Sequence, residues 1–144
     1  MGSIGVLGLA VLSGIAIAIQ GQFMGIMTQS LGTRESVFIT YIGGLTLSLF
    51  SILMAQGGNL KAWQSVPWYA LTSGIFGLII IGTIGYVVPR LGLSTGFGVI
   101  VATQFIFGAL IDQFGWFGAD TRPLSLSTLM GFGLIVTGVF LLGR

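Results

Sequence analysis

Residues Ile4 to Thr28 read IGVLGLAVLSGIAIAIQGQFMGIMT, and no charged side chain occurs before Arg34. A helix needs roughly 20 mostly apolar residues to cross a bilayer. This stretch meets that length without interruption, and it shows none of the strict alternation that a membrane β-strand requires. The rest of the chain repeats the pattern. Apolar segments run from about Val37 to Ala55, Trp68 to Val88, Leu93 to Ile111 and Leu124 to Leu142. The prediction is an all-α polytopic membrane protein with five transmembrane helices, forming a single domain over residues 1–144.

The composition agrees. Of 144 residues, 54% are hydrophobic and 6% charged, with five Lys and Arg, three Asp and Glu, and a net charge of +2. The mean hydropathy is +1.06. A soluble domain carries roughly 25% charged residues, so ordinary soluble, disordered and nucleic-acid-binding proteins are excluded. Cys and His are both absent. That removes disulfides, the usual zinc sites and the Ser–His–Asp and Cys–His catalytic arrangements. The one Lys, Lys61, stands in a polar loop. The sequence predicts no enzyme and no cofactor.

Strong polarity is confined to the connections. Gly32 to Glu35 forms the first, and QGGNLKAWQSVP, Gln56 to Pro67, the second. Trp63, Trp68 and Tyr69 suit a membrane–water interface. Pro89 to Gly92 is so short that helices 3 and 4 are expected to be antiparallel neighbours. Gln113 to Pro123 holds Trp116, Phe117, Asp120 and Arg122. The N-terminus lacks a basic residue before its apolar run, and that run is too long for a signal peptide. Val6 stands where N-myristoylation wants Ser or Thr.

Five spans place the termini on opposite sides. One side then carries Lys61 and Arg122, and the other Arg34, Arg90 and Arg144. Orientation follows the excess of Lys and Arg on the cytoplasmic side, and two against three is almost no excess. Two outcomes are compatible with this balance. In one, a weak bias still yields a single orientation. In the other, copies insert both ways and pair antiparallel, building from two chains the inverted repeat that many transporters encode in one.

The chain holds 25 glycines. Small residues allow close helix approach in lipid, and Ala10, Gly14 and Ala18, Gly21 and Gly25, Gly44 and Ser48, and Gly92 and Gly96 have the spacing for it. Polar residues within spans are functional candidates by default. In helix 1, Gln22 shares a face with Ala18, Gly25 and Gln29 at 100° per residue. It either lines a cavity or makes an interhelical hydrogen bond, whereas Gln20 points nearly the opposite way and is read as an interhelical hydrogen bond. In helix 4, Gln104, Gly108 and Asp112 form one stripe at i, i+4 and i+8, with Phe97 two turns below Gln104. That set is read as lining for a small substrate. Asp112 is either a coupling site or an interfacial acid solvated at the helix end or paired with Arg122. Tyr41, Tyr86, Phe105 and Phe107 are candidate aromatic lining, or simple packing residues.

Several stretches resemble a known family. TQFIFGALIDQFGWFG, Thr103 to Gly118, and RPLSLSTLMGFGLIVTGVFLL, Arg122 to Leu142, are similar to the C-terminal half of the YdcZ-like family. Those are small inner-membrane exporters of the drug/metabolite transporter superfamily. YVVPRLGLSTGFGVIVATQ, Tyr86 to Gln104, resembles the preceding part. QGQFMGIM, Gln20 to Met27, and ITYIGGLTLSLF, Ile39 to Phe50, resemble the first two helices. The resemblance implies five spans, pairing with an identical or related chain, and Gln104 and Asp112 as recurrent polar positions of helix 4. Thr103 departs from it where the family often has Gly, and Gln22 lies near a frequent Asn.

Together these features predict a transporter subunit in the bacterial inner membrane, working by alternating access as an antiparallel homodimer. Its cavity is expected to be lined by helices 1 to 4 of both chains, with helix 5 in packing or dimer contact. The rivals are a dual-topology channel and a non-transporting subunit of a larger assembly.

Overall fold

A computed structural model describes residues 3–143. Met1, Gly2 and Arg144 lie outside the described residues, and with them the Met-Gly pair weighed for myristoylation and one of the five basic residues weighed for orientation. Five α-helices follow in order: α1 (Ser3–Leu31), α2 (Thr33–Met54), α3 (Ser73–Leu91), α4 (Leu93–Phe114) and α5 (Leu126–Leu142). Short 3-10 segments lie at Leu60–Ser65, Ala70–Thr72 and Trp116–Gly118.

Among the described residues, four segments are long and apolar enough to cross a membrane: α1, α2, the stretch Ala70–Leu91 ending in α3, and α4. The fifth helix is apolar but has 17 residues. At 1.5 Å per residue it is about 26 Å long, slightly less than a typical hydrocarbon core. Its start falls at Leu126 rather than near Leu124, because Ser125 caps it. The Ser125 Oγ accepts a 3.1 Å hydrogen bond from the Thr128 N–H, satisfying one of the free donors of the first turn. At 29 residues α1 is the longest helix, about 43 Å, so a bilayer accommodates it by tilt or local thickening.

Two of the expected polar loops contract to one residue each. Gly32 has φ 98° and ψ 162°, and Gly92 has φ 79° and ψ 160°. This region of backbone space is open essentially to glycine alone. It lets one helix end and the next begin immediately, with the Ser36 N–H bonding the Gly32 carbonyl at 3.2 Å and the Gly96 N–H the Gly92 carbonyl at 3.0 Å. Arg34 and Glu35 are therefore helical, in the first turn of α2. Pro89, Arg90 and Leu91 are helical too, in the last turn of α3.

The chain divides into two compact units, one up to Pro89 and one from Arg90 onward. In the first, α1 and α3 meet closely. A Cβ added at Gly25 would lie 3.2 Å from Val88 Cγ1, and one at Gly85 would lie 2.6 Å from Thr28 Oγ1 and 3.1 Å from Met24 Cε. Around this contact Met24, Ile84 and Val88 are buried, and Met24 and Ser36 are fully enclosed. The Thr40 hydroxyl reaches from α2 to Met24 Sδ at 3.0 Å and to the Ser36 carbonyl at 2.9 Å. Of the small-residue spacings, Gly21 and Gly25 are buried and Gly25 packs on α3, while nothing lies within 4 Å of a Cβ built at Gly14 or Gly44.

In the second unit α4 packs antiparallel on α5. The Thr95 hydroxyl donates to the Leu142 carbonyl at 3.1 Å, and Gly98 lies against Val139, with 3.2 Å to a Cβ built there. At the other end Gly115, at φ 63°, closes α4. The Arg122 N–H bonds the Asp112 carbonyl at 2.8 Å, and Trp116 stacks on Phe114 with centroids 5.3 Å apart.

Very little of the molecule is interior. Buried apolar side chains among the described residues are Met24, Ile84, Val88 and Ala102, while long runs of Leu, Ile, Val and Phe stand exposed. In water that surface would drive association. Here it is the surface that meets the lipid bilayer.

Candidate substrate clefts

The three helices of the first unit are tightest around Met24, Gly25, Gly85 and Val88. From there two clefts open along α1 and α2. One, of about 520 Å³, is lined by Gln20, Thr40, Tyr41, Gly44, Leu45, Ser48 and Ile81. The other, of about 400 Å³, has Gln20, Met24 and Thr40 among its walls, with Ile19, Phe23 and Met27. Gln20 and Thr40 belong to both. Gln20 sits one turn before the buried Met24, so helix geometry carries it to the inner face of α1. Thr40, Gly44 and Ser48 follow at i, i+4 and i+8 and present one face of α2. No charged residue among those described lines either cleft.

The polar groups here differ in what they have left to offer. Thr40 is engaged with Ser36 and Met24. The Ser48 hydroxyl donates to the Leu45 carbonyl at 3.0 Å. The Tyr41 hydroxyl rests against Gly77 of α3. The interhelical hydrogen bond expected of Gln20 is not formed with any described residue. Gln20 points instead into the space where its amide remains open.

The residues singled out from sequence lie elsewhere. Gln22 is exposed and is not among the residues lining these two clefts. On α4 the stripe is intact because that helix is continuous from Leu93 to Phe114. Gln104 and Asp112 are exposed and Phe97 and Gly108 half-buried. A Cβ at Gly108 would meet nothing within 4 Å. Gln104 stands about 200° round the helix from the buried Ala102, so Gln104 faces away from the α5 contact. Gln22 falls in the first unit and the other four residues in the second. Among the described residues, no three His, Cys, Asp or Glu side chains gather to hold a metal ion.

Asp112 uses its backbone, not its side chain, to meet the last loop. Its carbonyl accepts from the Arg122 N–H, while its side chain is exposed. Asp112→Asn preserves that backbone bond. The variant is expected to transport with an unchanged pH profile, measured as liposome flux across a pH series. Retained exchange with a lost pH response would instead make the carboxylate a coupling group.

Sequence reasoning missed Thr40 and Ser48 as cleft residues and read Gln20 as structural. A signal for the first two was present, since they flank Gly44 in a four-residue spacing of small side chains. Nothing local distinguishes Gln20 from Gln22 without knowing which face of α1 receives α2 and α3.

Four apolar spanning helices, a fifth apolar helix and uncharged, partly polar clefts define a multi-pass α-helical membrane protein. Residues 5–141 match the family model described as "Putative inner membrane exporter, YdcZ". The chain is also 28% identical over 137 residues to the inner membrane protein YdcZ of Escherichia coli strain K12, covering 92% of this chain and 90% of that one. No solved structure matches it. The chain belongs to the YdcZ family and is a multi-pass protein of the inner membrane, in a family of exporters rather than enzymes.

Proposed function

We propose that the chain is one half of a small-molecule exporter, completed by a second copy in the opposite orientation and working by alternating access. All five helices act as one transmembrane domain that crosses the membrane five times, so that an inverted copy supplies the second half of an inverted repeat. The observation that carries this reading is the open amides of Gln20 and Gln104 in helices of spanning length. A polar group left without a partner in hydrocarbon is costly. A chain that buries so little of its own surface has room to place such groups against a substrate or a partner. The near balance of Lys61 and Arg122 against Arg34, Arg90 and Arg144 supports insertion both ways.

In the assembled dimer Gln22, Phe97, Gln104 and Gly108 contribute to the substrate cavity, and Asp112 lies at its rim. Transport needs no cofactor. Small rocking of one packed half against its inverted copy exposes the cavity to each side in turn.

The test is a proteoliposome uptake screen with and without a proton gradient. Gln104→Leu is expected to reduce flux at least about tenfold, the order of one or two lost hydrogen bonds to solute, with little change in the yield of folded protein. Loss of folded protein to match the loss of flux would return Gln104 to a packing role. Unitary currents would replace the carrier with a channel.

A further inference from the structure

The larger cleft has a more specific chemistry than the transport reading requires. Two polar groups at its walls, the Gln20 amide and the Tyr41 hydroxyl, have no hydrogen-bond partner among the described residues, whereas Thr40 and Ser48 are engaged within the protein. An amide offers two donors and an acceptor on one edge, and a phenol offers one of each. The remaining wall is apolar, from Leu45, Ile81 and the open side of Gly44. No charge among the described residues lines it to compensate an ion, and an unpaired ion in such a place is strongly penalised. The volume of about 520 Å³ lies within the range of small-molecule sites, roughly 300–1,000 Å³.

The structure assigns to this cleft a binding site for an uncharged small molecule that has a compact amide-like edge and an apolar body. The edge pairs with Gln20 and Tyr41, and the body lies along Leu45, Ile81 and Gly44. The assignment rests on the reading of the chain as a transporter subunit, and it adds the substrate class and a set of contacts on α1 and α2.

The test uses the full chain in lipid nanodiscs and two probes. Benzamide carries an amide edge on an apolar ring, and tetraphenylphosphonium is a cation with no hydrogen-bonding group. Radiolabelled benzamide is expected to bind saturably and the cation not to compete. Gln20→Leu should weaken benzamide binding about tenfold and Tyr41→Phe about fivefold, the scale of a lost hydrogen bond or two. Gly44→Val should abolish it by filling the cleft, since no atom lies within 4 Å of a Cβ there and packing is undisturbed. The chain has no cysteine, so Ser48→Cys supplies a single thiol. Its reaction with a water-soluble maleimide should slow when benzamide is present. Equal binding of benzamide by Gln20→Leu overturns the site. So does equal competition by tetraphenylphosphonium, or a Ser48→Cys thiol unreactive with and without benzamide, which would mean that lipid or a second copy fills the cleft. Saturable binding without flux in liposomes would leave this site standing and overturn the transporter reading. Flux of another solute that ignores Gln20→Leu and Gly44→Val would do the reverse.

Discussion

Two or three lysines added beside Lys61 are expected to fix every copy of the chain in one orientation, and the same number added beside Arg34 to fix the opposite one. Either form alone should lose at least about tenfold in transport, and co-expression of the two should restore it. Lys and Arg close to the ends of spans set which loops stay cytoplasmic, and this chain has only five such residues to divide between two sides. Lys61 is exposed in the short helical segment Leu60–Ser65. Arg34 is exposed in the first turn of α2. Both sites can accept further charge without entering a packed contact. Reporter fusions at the C-terminus read the orientation, and liposome flux reads the function. A parent chain that inserts one way, together with two locked forms that each work fully alone, would remove the antiparallel dimer.

Replacing Gly85 with valine is expected to separate α1 from α3 and unfold the first unit at a much lower temperature. A Cβ at that position would lie 2.6 Å from Thr28 Oγ1 and 3.1 Å from Met24 Cε. Both neighbours are held: Met24 is fully buried, and Thr28 is β-branched and stiff at χ1. Overpacking of this kind costs about 1–3 kcal/mol. Thr28 Oγ1 is itself buried without a hydrogen-bond partner, so Thr28→Ala removes a group that contributes no bond and should leave the melting temperature unchanged or slightly raised. Combining Thr28→Ala with Gly85→Ala should recover much of the loss seen in Gly85→Ala alone, a coupling that a double-mutant cycle measures. Gly108→Ala, which meets nothing within 4 Å, is the control. Thermal melting in nanodiscs decides the matter. A Gly85→Val protein that melts with its parent would show that this close approach does not hold the unit together.

Hydropathy alone located all five apolar helices, because charge is excluded from hydrocarbon and the chain collects its charge at the ends. It could not place the ends themselves. The joints at Gly32 and Gly92 depend on a backbone conformation that only glycine adopts cheaply, and the residues on either side go helical as a result. The shortening of α5 depends on a cap that Ser125, itself in extended backbone, forms by accepting the Thr128 N–H. The family was also legible from sequence, in the order and spacing of several stretches rather than in one motif.

The candidate clefts were legible only in part. The stripe Gln104, Gly108 and Asp112 follows from helical periodicity and is present on α4. Which side of α1 turns inward is a different kind of fact. Gln20 and Gln22 are two residues apart on a helix that is apolar on every side, so no polar face marks its outside. Their fates were separated by where Met24, Gly25 and Thr28 meet α2 and α3. That contact depends on side-chain shape across three helices, with Gly85 making room for Thr28 and Thr40 reaching Met24. Sequence by itself determined that the chain lies in the membrane as apolar helices, because transfer of residues into hydrocarbon is a sum over local composition. The tertiary structure decided which of two neighbouring glutamines opens into a cleft, because packing depends on residues far apart in the chain that meet in space.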